Sequence, residues 1–241
     1  MKTAKIFPRR FTRRDFVKMA GLATAGLSFP TATRGIEPKS TIRLGSGYHT
    51  YELVENWGVI PDGAKYGFGC GIVADSKDRI YVLTRTKPGL MIFDRAGNLL
   101  ESWEEEAALK KGISADTFTH SAHGLYWSKE QGQEYLYFTE NKPGCRMTKT
   151  DLKGNILLRI GQVNEETPTS IKFTFDNPTD VAIGPNGDIY VVDGYGSQLV
   201  HRFSKDGKLI RTIGGPGKEN GKFNICHGIW LNTLKKEPEI Y

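Results

Sequence analysis

The sequence predicts an all-β fold: a propeller of four-stranded blades, about four of them present, in an incomplete ring. Three observations carry this. Glycine occurs 28 times in 241 residues, above the usual share of ~7%, and so many glycines mark many tight turns. Four segments resemble one another, with Gly71, Gly124, Asp180 and Gly228 at equivalent places, 53, 56 and 48 residues apart. Each reads as strand, turn, strand, loop, strand, turn, strand, and four strands in ~40–50 residues is the signature of a propeller blade.

Residues 1–34 stand apart from the repeats. They hold eight basic side chains and one acid, Asp15, whereas residues 35–241 hold 25 basic and 26 acidic ones. The net charge of +6 therefore belongs to the leader. The body carries no field that would gather phosphates, so nucleic acid is excluded as a partner. Thr12-Arg13-Arg14-Asp15-Phe16-Val17-Lys18, an apolar stretch from Met19 to Phe29 and small residues at Thr31-Ala32-Thr33 have the layout of a removable export signal. The paired arginines resemble the twin-arginine type, which implies a periplasmic or extracellular protein. No apolar run reaches the ~18 residues of a spanning helix, so no membrane span is expected once the signal is removed.

The propeller domain then takes residues 35–241. Strands are expected near Thr41–Leu44 and Glu52–Trp57, in a closing blade. The first full unit runs from Cys70–Asp75 and Arg79–Leu83 to Leu90–Asp94, turns at Arg95-Ala96-Gly97-Asn98, and ends in Leu99–Trp103. Trp103–Gly112 is rich in Glu, Ala, Leu and Lys and reads as a helix inserted between blades. The second unit starts at His123–Trp127 and Glu134–Phe138 and ends through Asp151-Leu152-Lys153-Gly154-Asn155 and Ile156–Ile160. The third is the clearest: strands at Asp180–Ile183, Asp188–Asp193, Leu199–Ser204 and Lys208–Ile213, with turns at Pro185-Asn186-Gly187 and Lys205-Asp206-Gly207. The fourth starts at His227–Leu231 and reaches Glu239-Ile240-Tyr241.

Cys70, Cys145 and Cys226 lie in separate segments with no C-x-x-C pair, which excludes a zinc knuckle and makes a disulfide unexpected. A blade's first strand lines the central channel, so the residues just ahead of the markers converge on the axis. These are Cys70, His123, Thr179 and His227. Two histidines at matched places, two blades apart, suit a shared metal, and a catalytic zinc wants three protein ligands and an open position. His49, His120 and His201 read as surface residues, and Asp180 and Asp193 as hydrogen-bonding groups at strand ends. A calcium-dependent lactonase or esterase would want Glu, Asn and Asp at the axis, where this chain has His and Thr.

Phe175-Asp176-Asn177-Pro178-Thr179-Asp180-Val181-Ala182, continuing to Asp193, resembles the core of the NHL repeat, which implies a six-bladed propeller. Ala122-His123-Gly124-Leu125, Asp193-Gly194-Tyr195 and Cys226-His227-Gly228-Ile229 sharpen this. They resemble the lyase module of peptidylglycine α-amidating enzymes, which cleaves peptidyl-α-hydroxyglycine to a peptide amide and glyoxylate. The resemblance implies zinc held by His123 and His227, calcium on the backbone carbonyl of Leu125, and Tyr195 as general base. It also implies that Arg85 grips the substrate carboxylate, where a planar fork suits two oxygens. The substrate would be a peptide or a small N-acyl-hydroxyglycine. The family's third zinc histidine, second arginine and calcium aspartate would fall past Tyr241, and its cysteine beside the tyrosine is Gly196 here. Six blades at ~50 residues need roughly 300, against about 205 after the leader. The expectation is a fragment with impaired or no activity, its open blade edge permitting self-association. The alternative is a non-catalytic NHL propeller that binds a protein, peptide or glycan.

Overall fold

The computed structural model describes residues 42–60, 66–103, 121–164, 166–234 and 239–241. The leader, His120 and residues 104–112 of the expected helix lie outside these. Trp103 itself closes a strand and is fully buried. Two compact units are present, Met1–Leu53 and Val54–Tyr241. In the first, β1 (Arg43–Ser46) and β2 (His49–Glu52) pair as an antiparallel hairpin around Gly47-Tyr48, with Ser46 opposite His49. The second strand thus lies earlier than the expected Glu52–Trp57, because the chain reverses at Gly47, which adopts φ +57°.

The second unit is built from blades. Blade 1 comprises β3 (Gly69–Ala74), β4 (Ile80–Thr84), β5 (Leu90–Phe93) and β6 (Leu99–Trp103). Blade 2 comprises β7 (Ala122–Glu130), β8 (Gln133–Glu140), β9 (Arg146–Asp151) and β10 (Ile156–Gly161), and β11 (Ser170–Lys172) adds to its outer edge in parallel. Blade 3 comprises β12 (Asp180–Ile183), β13 (Ile189–Asp193), β14 (Leu199–Phe203) and β15 (Leu209–Gly214). A short pair, β16 (Leu231–Asn232) and β17 (Glu239–Ile240), begins the fourth. Within each of the three blades, consecutive strands pair antiparallel in chain order. The described residues contain no helix, and their blades do not close a ring.

The turns follow from local chemistry. Asp151 Oδ1 accepts from Lys153 N at 2.8 Å and Asn155 N at 2.9 Å, closing the last turn of blade 2 with Gly154 at φ +85°. A side-chain carboxylate that mimics a backbone acceptor is what makes aspartate a turn residue.

The core is a stack of layers between blades, because each strand sends alternate side chains to opposite faces. Leu136 and Phe138 of β8 join Leu83, Ile92 and Trp103 in the layer between blades 1 and 2. Tyr137, between them in sequence, faces the next layer with Val181, Ile189 and Phe203. In β13, Ile189 and Val191 point to that layer, while Tyr190 and Val192 point to the one shared with Ile229 and Leu231.

This alternation also places His201. It shares a face of β14 with Phe203, so it is buried rather than a surface residue. Its ring meets those of Phe173, Phe175 and Phe203, and its Nδ1 lies 3.0 Å from Thr212 Oγ1. His49 is exposed. The three cysteines are free, and no described helix is long and apolar enough to cross a membrane.

Candidate functional site

The marker positions set the spacing between blades at the axis. A Cβ on Gly71 would sit 2.6 Å from the Leu125 side chain, and one on Gly124 would sit 2.6 Å from Asp180 Oδ1 and 2.9 Å from its Cα. Glycine at these places lets neighbouring first strands approach. In blade 3 the marker is Asp180 itself, whose carboxylate accepts from Ile229 N at 3.0 Å in the next blade. Burial pushes that carboxyl up to about 6. Asp180 is therefore a hydrogen-bonding group between blades, whereas Asp193 braces blade 3 itself, accepting from the backbone N–H of Asp176 (2.8 Å) and Asn177 (2.6 Å) and from Ser197 Oγ (2.8 Å).

The residues ahead of the markers reach across to the following blade. Cys70 Sγ lies 3.3 Å from the Ala122 carbonyl, His123 Nδ1 lies 2.7 Å from the Thr179 carbonyl, and Thr179 Oγ1 lies 3.0 Å from the Cys226 carbonyl. The β7–β8 register shifts between Ala122 and Leu125, so His123 sits at a bulge. An extra residue in one strand re-aims a side chain. Gly124 N is satisfied by Thr139 Oγ1 at 2.8 Å in place of a ladder partner.

Three rings come together there. His123 and His227 have centroids 4.7 Å apart, and Tyr195 stands edge-on to both, at 5.0 and 5.1 Å. Tyr195 Oη hydrogen-bonds His227 Nε2. His123 is buried, while His227 and Tyr195 are exposed. Burial pushes the His123 imidazole down to about 4; the Thr179 carbonyl opposes this, and Arg85 and His227 add to it. Tyr195 is carried here by Gly194, where any Cβ would collide with the Cys226 carbonyl.

Arg85 lies at the end of β4, close enough to His123 to act on its charge. Its Nε donates to Ala122 O at 2.6 Å and its Nη2 to Asn141 Oδ1 at 2.7 Å. Two of its five N–H groups thus brace blade 1 against blade 2. Leu125 follows Gly124 in β7; its side chain enters the first interblade layer and its main chain pairs with Phe138.

His123 fits a metal. Its Nδ1–H donates to a carbonyl that has no proton to give, which fixes the tautomer and leaves the Nε2 lone pair free to bind; such anchoring is usual for ligating histidines. In the tautomer with its proton on Nδ1, His227 accepts from the Tyr195 phenol through its single Nε2 lone pair, which reaches a metal only when that hydrogen bond is given up. Two imidazoles match the nitrogen donors that zinc takes, two of the three protein ligands of a catalytic site. No group of three His, Cys, Asp or Glu residues suited to a metal occurs among the described residues.

Sequence reasoning missed two residues. Asn141 ties Arg85 to blade 3 through a bond from its amide to the Pro178 carbonyl. Gln198 Oε1 accepts from Ile225 N and Cys226 N at 2.5 and 3.3 Å, holding the strand-free segment that carries His227. Asn141 was findable, since it follows the second strand of its blade as Arg85 does in blade 1. Gln198 has no such equivalent.

The NHL repeat family pattern matches residues 175–203, so the chain carries an NHL repeat within its blades. It is 24% identical over 187 residues to human NHL repeat-containing protein 3, covering 76% of this chain and 51% of that protein. It is also 29% identical over 112 residues to a probable peptidyl-alpha-hydroxyglycine alpha-amidating lyase of Caenorhabditis elegans, covering 45% of this chain and 28% of that one. Among solved structures, virginiamycin B lyase from Staphylococcus aureus aligns at a TM-score of 0.45 and 18% identity, covering 68% of this chain and 46% of that chain. The chain thus spans about half the length of its NHL repeat-containing relative.

Proposed function

We propose that this propeller chain serves an exported, zinc-dependent lyase of the amidating type, acting on a peptidyl or small N-acyl α-hydroxyglycine. The observation that supports this best is the meeting of His123, His227 and Tyr195 within about 5 Å of one another. His123 and His227 would hold zinc through Nε2, with further ligands from outside the described set. Bound there, zinc supplies Lewis acidity toward the substrate hydroxyl. This reading assigns the hydroxyl proton to Tyr195 as its phenolate, its own proton having left and its bond to His227 having been given up. The C–N bond then breaks, its electron pair and a proton go to nitrogen to give the amide, and the carbinol carbon becomes the aldehyde of glyoxylate. The Arg85 edge not engaged by Ala122 and Asn141 is the one this reading assigns to the substrate carboxylate. Calcium on the Leu125 carbonyl and export by residues 1–34 belong to the same proposal.

The experiment is zinc content and glyoxylate release from an N-acyl-α-hydroxyglycine, measured on the purified full chain. Zinc that is lost in both His123→Ala and His227→Ala, together with glyoxylate formation, supports the lyase. A second reading, a non-catalytic propeller that binds a protein, peptide or glycan, is favoured by the longer match to NHL repeat-containing protein 3. Metal content indifferent to both substitutions selects it.

A further inference from the structure

Thr179 holds the place in blade 3 that His123 and His227 hold in blades 2 and 4. It is fully buried, and its two polar ends serve different neighbours. Its carbonyl accepts from His123 Nδ1 at 2.7 Å and from Thr139 Oγ1 at 2.9 Å. Its hydroxyl has one proton and two carbonyls in reach, Cys226 O at 3.0 Å and Val192 O at 3.4 Å. The Val192 carbonyl already accepts from Thr179 N at 2.8 Å, so the shorter contact to Cys226 takes the proton.

That contact matters because of what carries His227. Residues 224–229 belong to no strand, so no ladder fixes their backbone ahead of the Trp230–Tyr241 pair. Point contacts hold them instead: Gln198 Oε1 on the amides of Ile225 and Cys226, the bond from Ile229 N to Asp180, and Thr179 Oγ1 on the Cys226 carbonyl. Cys226 immediately precedes His227. A hydroxyl bond from a fully buried threonine to a half-buried peptide constrains that peptide more than an exposed one would.

We infer that Thr179 is the positioning residue for both imidazoles of the site. Its carbonyl sets the rotation and tautomer of His123, and its hydroxyl sets the backbone from which His227 projects toward Tyr195. The consequence for metal affinity rests on the zinc reading above; the positioning itself does not. The two halves separate cleanly, since every residue at 179 keeps the carbonyl. Removing the hydroxyl should disturb His227 and spare His123.

The test uses Thr179→Val, which preserves the β-branched shape, and Thr179→Ser, which keeps the hydroxyl, both in the full chain. In metal-free imidazole 1H–15N spectra, Thr179→Val is expected to leave His123 as the Nδ1–H tautomer while the His227 resonances shift and its bond to Tyr195 weakens. In zinc titrations against a chromophoric chelator, Thr179→Val is expected to bind ~10–100-fold more weakly, the usual cost of losing a group that orients a ligand. Thr179→Ser should restore wild-type affinity. Should the valine variant fail to fold, Thr179→Ala takes its place in both measurements. Unchanged His227 resonances with wild-type zinc affinity in the hydroxyl-free variant would overturn the inference. So would a loss in Thr179→Ser equal to that in Thr179→Val. If the wild-type chain takes up no zinc, the zinc reading fails, and the metal-free spectra alone decide the role of Thr179.

Discussion

His123 and His201 are both buried, 8% and 6% exposed, in adjacent blades, and each engages an oxygen through Nδ1. Their surroundings differ in what meets the rest of the ring. His201 is packed against three phenylalanines, with Nε2 turned toward Asp193 Oδ2 at 3.9 Å. His123 is re-aimed by a bulge toward the axis, where its neighbours are a second imidazole and a phenol. Burial and one hydrogen bond therefore do not make a histidine a site. The outer ring is structural because three phenylalanines enclose it while Thr212 and Asp193 stand at its two nitrogens; the axial ring is available because its Nε2 looks toward a second imidazole and a phenol.

The comparison breaks most sharply on metal binding. Replacing His123 or His227 by Ala should weaken zinc binding by more than ~100-fold, beyond the loss typical of an orienting group, while His201→Ala leaves it unchanged. Chelator competition on the three variants checks this. Next in size is turnover. Tyr195→Phe keeps the ring packing and removes the phenol, and is expected to lower glyoxylate release by ~10²–10⁴-fold, the contribution of a positioned general base. Its zinc affinity should stay near that of the wild type.

On stability the order reverses. His201→Ala empties a slot among Phe173, Phe175 and Phe203 and should cost about 2–4 kcal/mol in denaturant unfolding, as large-to-small changes in a packed layer do. Removing the His123 ring, which packs against two polar rings rather than three phenylalanines, should cost less.

The smallest expected effect is in acid. Folded His123 protonates near 4, against ~6.5 in an unfolded chain. Between those values the unfolded state holds a proton that the folded ring refuses, so stability falls as pH drops from 6.5 toward 4. Asp180, raised to about 6, acts in the opposite sense: between ~4 and 6 its folded form holds the extra proton, and stability rises on acidification. Unfolding curves across pH 4–6.5 should therefore slope less steeply in His123→Asn than in wild type, and more steeply in Asp180→Asn. Equal slopes in all three would show that neither group is perturbed.

Much of this was legible in the chain. The boundaries of β12 coincide with the expected strand, and those of β13 to β15 lie within a residue or so of it, because Gly187 and Gly207 punctuate period-2 apolar runs. The matched places of His123 and His227 in the repeat anticipated their approach, since a propeller brings blade starts together. His201 was misjudged because a histidine between Val200 and Arg202 looks half exposed until Phe173 and Phe175, from the connection between blades, cover it. The hairpin β1–β2 was displaced because its turn falls at Gly47 rather than beyond.

By itself the sequence determined the blade repeat, the turns and the identity of the axial residues, because these depend on spacing and on local backbone preference. Tertiary structure alone decided that the Arg85 fork is partly spent on Ala122 and Asn141, that His201 is enclosed, and that one threonine touches the settings of both axial histidines. Those outcomes depend on contacts between residues tens of positions apart, whose distances are set by how blades stack and by no property of either residue taken singly.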